Sequence, residues 1–291
     1  MGRAVPDLDP VLESKKKEAA EVLRDAGRVV IALSGGVDSA VLLAVACEAL
    51  GAANVLAVTG RSPAVTGGEV ADACDVARVL GVPHETLETH ELEREGYRAN
   101  AGDRCFHCRT ELFEGLASLA SARGFEAIAY GAIVDDLGDH RPGMEAARAL
   151  GVLAPLLEAN IGKSDVRRLA IHYGLPISAK PASACLASRV PVGTPVSEPV
   201  LRRIAAAEAV LTALGFGRVR VRDHGETARI EVDLPDVPRF REPGTRDSVV
   251  AGLRSAGFRS VVVDLDGYRQ GGAGNETPRL YSIEPQADGG Q

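Results

Sequence analysis

One hexapeptide constrains this chain more than anything else in it. SGGVDS, residues 34–39, sits between an apolar run at 28–33 (RVVIAL) and an apolar segment at 38–50. A buried strand that runs through two glycines straight into a helix builds an anion pocket. Gly35 and Gly36 let the backbone approach a phosphate closely. The unpaired amides that open the helix, Val37 onward, then face the anion. The hydroxyls of Ser34 and Ser39 add hydrogen bonds. Asp38 is out of place beside a polyanion unless it holds Mg²⁺, which takes carboxylates together with phosphate oxygens.

The surrounding pattern alternates strand and helix. Helices are predicted at 13–26, 38–50, 68–80, 109–123 and 164–173, and strands at 28–33, 54–59, 82–87 and 125–130. Gly27, Gly51, Gly81, Gly124 and Gly174 supply the helix stops. This alternation predicts an α/β domain, a parallel sheet with helices on both faces. Residues 180–199 are rich in Pro, Ser and Gly, and the boundary is placed there, giving domains 1–182 and 183–291. The second domain reads as α+β: helix 198–214, strands 218–223 and 227–232, helix 246–255, strand 259–265. The tail from Gly271 is Gly-rich and expected to fray.

Composition narrows the function. A length of 291 residues suits two domains. No run of 18 apolar residues exists, so no membrane span is expected. Residues 1–18 lack the apolar core of a signal peptide, and a cytoplasmic location is expected. A formal charge of −7, no Trp and 4% aromatics argue against a stable nucleic-acid partner.

Cysteines stand at 47, 74, 105, 108 and 185. Cys47 and Cys74 fall on predicted helices and read as small core hydrophobes. Cys105 and Cys108 form CFHC just before the helix predicted from Arg109, and Cys185 lies in ACLASR. Three thiolates can hold three irons of a 4Fe–4S cluster and leave the fourth open. Zinc with His107 as a further ligand, or three reactive free thiols, fit the same residues.

Other candidates follow from position. Arg189, after Ser188, can hold a phosphate or carboxylate bidentately, and Glu208 lies on the next helix. Arg220 and Arg222 alternate along one strand and so share a face, which suits a phosphate monoester. Arg61 and Ser62 follow the second strand and are ligand-framing candidates by that position. Asp135, Asp136 and Asp139 lie in a loop after a strand, where such folds border their sites, and are candidates for Mg²⁺ or substrate. His84, His90, His140, His172 and His224 are scattered, and most read as surface or core residues with no special role.

SGGVDS resembles the PP-loop of the ATP pyrophosphatases, which cleave ATP between the α- and β-phosphates. That implies a Rossmann-like, HUP-type fold using ATP and Mg²⁺, with Arg61 and Ser62 expected to frame the adenine. From residue 29 to about 275 the chain resembles the LarE family, through DDLGDHRPG at 135–143, ACLASRVPVGT at 184–194, GFGRVRVRDHGETARIEV at 215–232 and GFRSVVVDLDGYRQGG at 257–272. The resemblance implies an ATP-dependent sulfur transferase acting on a pyridinium mononucleotide. It would adenylylate the two carboxylates and convert them to thiocarboxylates, in making the nickel-pincer nucleotide of lactate racemase. One branch of the family sacrifices a cysteine, at the position where Ala184 stands here; another carries a 4Fe–4S cluster on three cysteines. Cys105, Cys108 and Cys185 resemble the cluster branch, with all three and Asp38 in catalytic roles. A homo-oligomer, with a hexamer among its forms, is also implied. Rival readings are a PP-loop tRNA thiolation enzyme with a cluster, an ATP-dependent amide-forming ligase with structural zinc, and a non-catalytic adenine-nucleotide sensor.

Overall fold

The computed structural model describes residues 8–137, 142–181, 184–269 and 280–283. Asp139, His140, the predicted junction at 182/183 and most of the tail from Gly271 lie outside these residues. The chain divides into two compact units, Met1–Tyr97 with Asp103–Ala184, and Arg98–Gly102 with Cys185–Gln291.

The first unit contains α1 (Pro10–Asp25), β1 (Val29–Ala32), α2 (Val37–Leu50), β2 (Val55–Arg61), α3 (Gly67–Leu80) and β3 (His84–Glu88). A short helix α4 (Glu95–Ala99) runs into the Arg98–Gly102 segment. Then come α5 (Arg104–Arg123), β4 (Ala127–Tyr130), α6 (Pro142–Ala149), α7 (Pro155–Glu158) and α8 (Lys163–His172). The four strands are parallel, in the order β3-β2-β1-β4. Every residue of β1 is buried, and its alternation serves two cores. Val29 and Ile31 pack with Leu23, Leu42, Leu43 and Leu169 of α1, α2 and α8. Val30 and Ala32 pack with Phe113 and Leu116 of α5. α2 is buried almost all round over residues 39–46, as befits a helix without a polar face. Strand order reverses between β1 and β4, so the chain leaving both strands borders the crevice where α/β folds take ligands.

Two elements differ usefully from expectation. α5 begins at Arg104 rather than Arg109, which puts Cys105 and Cys108 inside its first turns. Cys, Phe and His are poor helix formers; here the Phe106 amide donates to the Asp103 carbonyl at 2.8 Å, and His107 pairs with Asp103 one turn back. β3 begins at His84 rather than residue 82, because Pro83 has no amide to donate.

The second unit contains α9 (Glu198–Ala213), β5 (Val219–His224), β6 (Thr227–Val232), α10 (Pro243–Ser255), β7 (Ser260–Asp264) and β8 (Leu280–Ser282). Its mixed sheet runs β5-β6-β7-β8, with β6 and β7 parallel and the outer pairs antiparallel. One face packs Val221, Ile230 and Val263 against Leu211, Val250 and Leu253 of the two helices. The other face carries charge. Among the described residues no helix is long and apolar enough to cross a membrane.

Candidate active site

The SGGVDS loop joins β1 to α2 at the switch point. Gly35 has φ +71°, and a Cβ there would lie 2.2 Å from the Glu69 carbonyl oxygen on α3, so only glycine fits. The Ser34 amide donates to Ser39 Oγ at 3.1 Å, and Ser39 Oγ donates to the Gly36 carbonyl at 3.1 Å. Gly36 is the N-cap of α2 and gives it no side-chain acceptor. The amides at the head of this helix are therefore presented to whatever anion enters the loop. Across the crevice, a Cβ on Gly131 would meet the Ser39 nitrogen at 2.6 Å. The chain leaving β4 thus presses directly on the head of α2.

Asp38 is held by Lys163, whose Nζ donates to both carboxylate oxygens at 2.7 and 2.8 Å. Lys163 opens α8, and its amide donates to Asp135 Oδ2 at 2.8 Å. Asp135 therefore caps α8, while Asp136 accepts from the Ile133 amide at 3.1 Å and closes its own turn. Lys180 Nζ donates to the Gly35 carbonyl at 2.8 Å and to Asp72 on α3 at 2.5 Å. Arg167 in turn donates to the carbonyls of Ser178 and Lys180, both at 2.6 Å, which fixes the segment that delivers Lys180. Lys163, Lys180 and Gly131 were not among the sequence candidates. They lie far from the loop in the chain, and the one local signal is a Gly-Lys pair opening a predicted helix.

The remaining candidates of this unit are simpler. Arg61 forms an exposed ion pair with Glu88 at 2.5 Å. Ser62 Oγ accepts from the Ala64 amide at 3.2 Å and shapes the turn after β2. Cys105 is exposed, and Cys108, one turn on along α5, is half-buried. Cys74 corrects its reading as a core residue: it is exposed on α3, because that face of the helix looks outward. His84, one of the scattered histidines, bonds to both Cys74 and Thr59.

In the second unit, Cys185 opens a 3-10 turn, Leu186–Arg189. Arg189 is 2% exposed and donates to both oxygens of Glu208, at 2.9 and 3.1 Å. It also donates to the Cys185 carbonyl at 2.9 Å and to Ser188 Oγ at 3.0 Å. Glu208 accepts in addition from the Val221 amide at 3.0 Å, which ties α9 to β5. Arg222 donates to both oxygens of Glu231 at 3.0 Å and to the Ser188 carbonyl at 2.9 Å. Glu231 also takes Arg229, at 2.8 Å. The guanidiniums of Arg189 and Arg222 are thus matched to carboxylates and pin the turn bearing Cys185. Arg220 differs: among the described residues it donates only to the Val219 carbonyl, at 2.8 Å, and stands 5.5 Å from the Tyr268 ring centre. Burial first, and then the Arg189 charge, push its guanidinium below the ordinary value. Among the described residues Arg220 makes no ion pair, which leaves it the most available cation on the charged face.

The donor set at the loop fits Mg²⁺: one carboxylate, Asp38, beside a phosphate pocket. The fit to a 4Fe–4S cluster is not of this kind. Among the described residues no three His, Cys, Asp or Glu side chains are gathered as a metal site.

The NAD synthase family matches residues 12–108. An uncharacterized protein of Synechocystis sp. is 38% identical over 261 residues, covering 90% of this chain and 97% of its own length. The pyridinium-3,5-bisthiocarboxylic acid mononucleotide synthase of Lactiplantibacillus plantarum is 36% identical over 260 residues, covering 89% of this chain and 94% of its own. A tRNA-specific 2-thiouridylase of Xanthobacter autotrophicus is 32% identical over 194 residues, covering 54% of this chain and 49% of its own. A PP-loop at the switch point of a parallel sheet, together with this similarity along almost the full length of both chains, makes this protein a member of the LarE family of ATP-dependent sulfurtransferases.

Proposed function

We propose that the chain adenylylates the carboxylates of pyridinium-3,5-biscarboxylic acid mononucleotide and converts them to thiocarboxylates, as a step in making the nickel-pincer nucleotide. The observation that carries the ATP half is the Asp38–Lys163 pair at the mouth of the SGGVDS loop. The substrate rests on the similarity to the Lactiplantibacillus plantarum synthase.

The amides at the head of α2 take the pyrophosphate part of ATP. Lys163 exchanges Asp38 for a phosphate oxygen, and Asp38 turns to Mg²⁺. The ion, when bound, neutralises charge on the departing pyrophosphate. A substrate carboxylate oxygen attacks the α-phosphorus, the bond to the bridging oxygen breaks, and an acyl-adenylate forms. The amides at the head of α2 are already in place and do not reorganise as charge develops. A sulfur nucleophile then adds to the acyl carbon and AMP leaves. Arg220 receives the mononucleotide phosphate, while Arg189, Ser188, Glu208 and Arg222 shape its surroundings. Arg61 and Ser62 frame the adenine.

Cys105, Cys108 and Cys185 are proposed as ligands of a 4Fe–4S cluster on residue type and family resemblance alone, and no step is routed through it. We further propose a cytoplasmic homo-oligomer with no stable nucleic-acid partner.

The test is incubation with ATP, Mg²⁺, the mononucleotide and sulfide. Pyrophosphate and AMP are expected in step with a thiocarboxylate seen by mass spectrometry. Pyrophosphate formed only with tRNA would favour the thiolation reading. Iron and acid-labile sulfide in oxygen-free preparations, lost when the three cysteines become Ala, test the cluster; zinc alone, or no metal, removes it.

A further inference from the structure

Away from the phosphate loop, one group of side chains has the layout of a nucleophile with its base. The exposed Cys74 on α3 has its Sγ 3.4 Å from Nδ1 of His84, the first residue of β3. The other ring nitrogen, Nε2, is 2.8 Å from Oγ1 of buried Thr59 on β2. Thr59 donates its one hydroxyl proton to the Leu33 carbonyl at 2.7 Å. Its oxygen can then only accept from the ring, so Nε2 carries the hydrogen and Nδ1 offers a bare lone pair to the thiol. Burial pushes the His84 imidazole below its ordinary value, which favours the neutral ring. Nucleophile, base and a third group orienting the base are the three parts of an activated side chain. Cys47 is the contrast: burial pushes its thiol up, and its Sγ faces the Leu80 carbonyl at 3.6 Å.

We propose that Cys74 is a nucleophilic thiol, with His84 as its base and Thr59 setting the tautomer, that takes the outer sulfur of a low-molecular-weight persulfide. The choice of a sulfur donor rests on the sulfur-transfer reading above; the reactivity rests on the geometry. In the step, the Cys74 sulfur attacks the outer sulfur of the donor RS–SH as its own proton passes to Nδ1. The new S–S bond forms while the donor's S–S bond breaks, and its electron pair leaves with the inner sulfur. The departing thiolate recovers the proton from His84. Cys74–SH and RSSH become Cys74–SSH and RSH, with no oxidant or reductant. The sulfur is then carried on α3, the helix whose Glu69 carbonyl packs against Gly35 and whose Asp72 holds Lys180.

The experiment uses the full reduced chain without ATP. Cysteine persulfide is added, the excess is removed, and the thiols are capped and mapped by peptide mass spectrometry. One added sulfur on the Cys74 peptide is expected, and its loss in His84→Gln. Iodoacetamide at pH 7 should cap Cys74 about a hundredfold faster in the unaltered chain than in His84→Gln, the lower range of what a positioned base contributes. Should that variant not fold, the same rate in the unaltered chain is compared with free cysteine at that pH, and Cys74 should be faster. No sulfur on Cys74, or a rate no higher than free cysteine, overturns the proposal. Pyrophosphate release is measured separately: its absence beside a reactive Cys74 removes the sulfur-transfer reading and leaves the nucleophile standing.

Discussion

Lys163 grips both carboxylate oxygens of Asp38 across 125 residues of sequence, at 2.7 and 2.8 Å. The pair stores a cation beside an anion pocket without leaving that cation unpaired. If Lys163 moves to phosphate when ATP arrives, Lys163→Ala should lower ATP–pyrophosphate exchange about a hundredfold, in line with loss of one preorganised charge donor. Circular dichroism and the urea midpoint should change little, because the pair is partly exposed. A variant that exchanges pyrophosphate at the unaltered rate removes Lys163 from the mechanism.

Gly131→Ala should damage the same site by a different route. The added methyl meets backbone at 2.6 Å, and neither the head of α2 nor the chain leaving β4 can yield as a side chain would. ATP affinity should fall together with a lower melting temperature. Calorimetric titration with ATP, alongside thermal unfolding, reads both; a loss of neither contradicts the packing described.

Arg189→Ala should destabilise the second unit more than any loss of substrate contact would require. It strands Glu208, a nearly buried carboxylate. Breaking a buried pair from one side costs about 3–5 kcal/mol, seen as a lower urea midpoint. Replacing both partners with Met should recover much of that stability. Arg220→Ala should behave oppositely. Among the described residues its guanidinium has no carboxylate to strand, so stability should hold while KM for the mononucleotide rises about tenfold or more, as for loss of one charge-assisted hydrogen bond.

Acid should weaken the chain above the carboxylate range. Burial pushes both His84 and His224 below their ordinary value of 6.5. Between the lowered folded values and 6.5, the unfolded chain binds more protons than the folded one, so stability rises with pH. The contribution is complete above about pH 6.5 and is lost as pH falls through the folded values. Urea midpoints from pH 8 down to 5.5 should show the decline, and His84→Gln should flatten part of it. An unchanged slope in that variant contradicts the assignment.

Some of this was legible from residues alone, and the limit has a physical cause. Strand, loop and helix around SGGVDS are local matters of apolar period and glycine placement, and the parallel sheet follows from their alternation. The alternation of Arg220 and Arg222 also predicted a shared strand face, which the β5–β6 register bears out. What alternation does not carry is the chemistry between strands. Glu231 stands opposite Arg220 yet bonds Arg222 and Arg229, and Glu208 reaches Arg189 from another element. The Cys74–His84 contact is hidden for the same reason: a thiol on a helix and an imidazole opening a strand become a pair only once α3 lies beside β3.

The excursion of Arg98–Gly102 into the second unit changes what can be separated by cutting the chain. Buried Asn100, at φ +51°, donates to the carbonyls of Pro191 and Thr194 at 2.8 and 2.9 Å, and its own carbonyl takes the Gly193 amide at 2.8 Å. A fragment beginning at Cys185 therefore lacks one of its own parts and carries unsatisfied carbonyls where Asn100 belongs. The covalent path enters the second unit, leaves it, and enters again, so a break at a single peptide bond frees neither half intact. Proteolysis near residue 184 should yield two pieces that stay together until denatured.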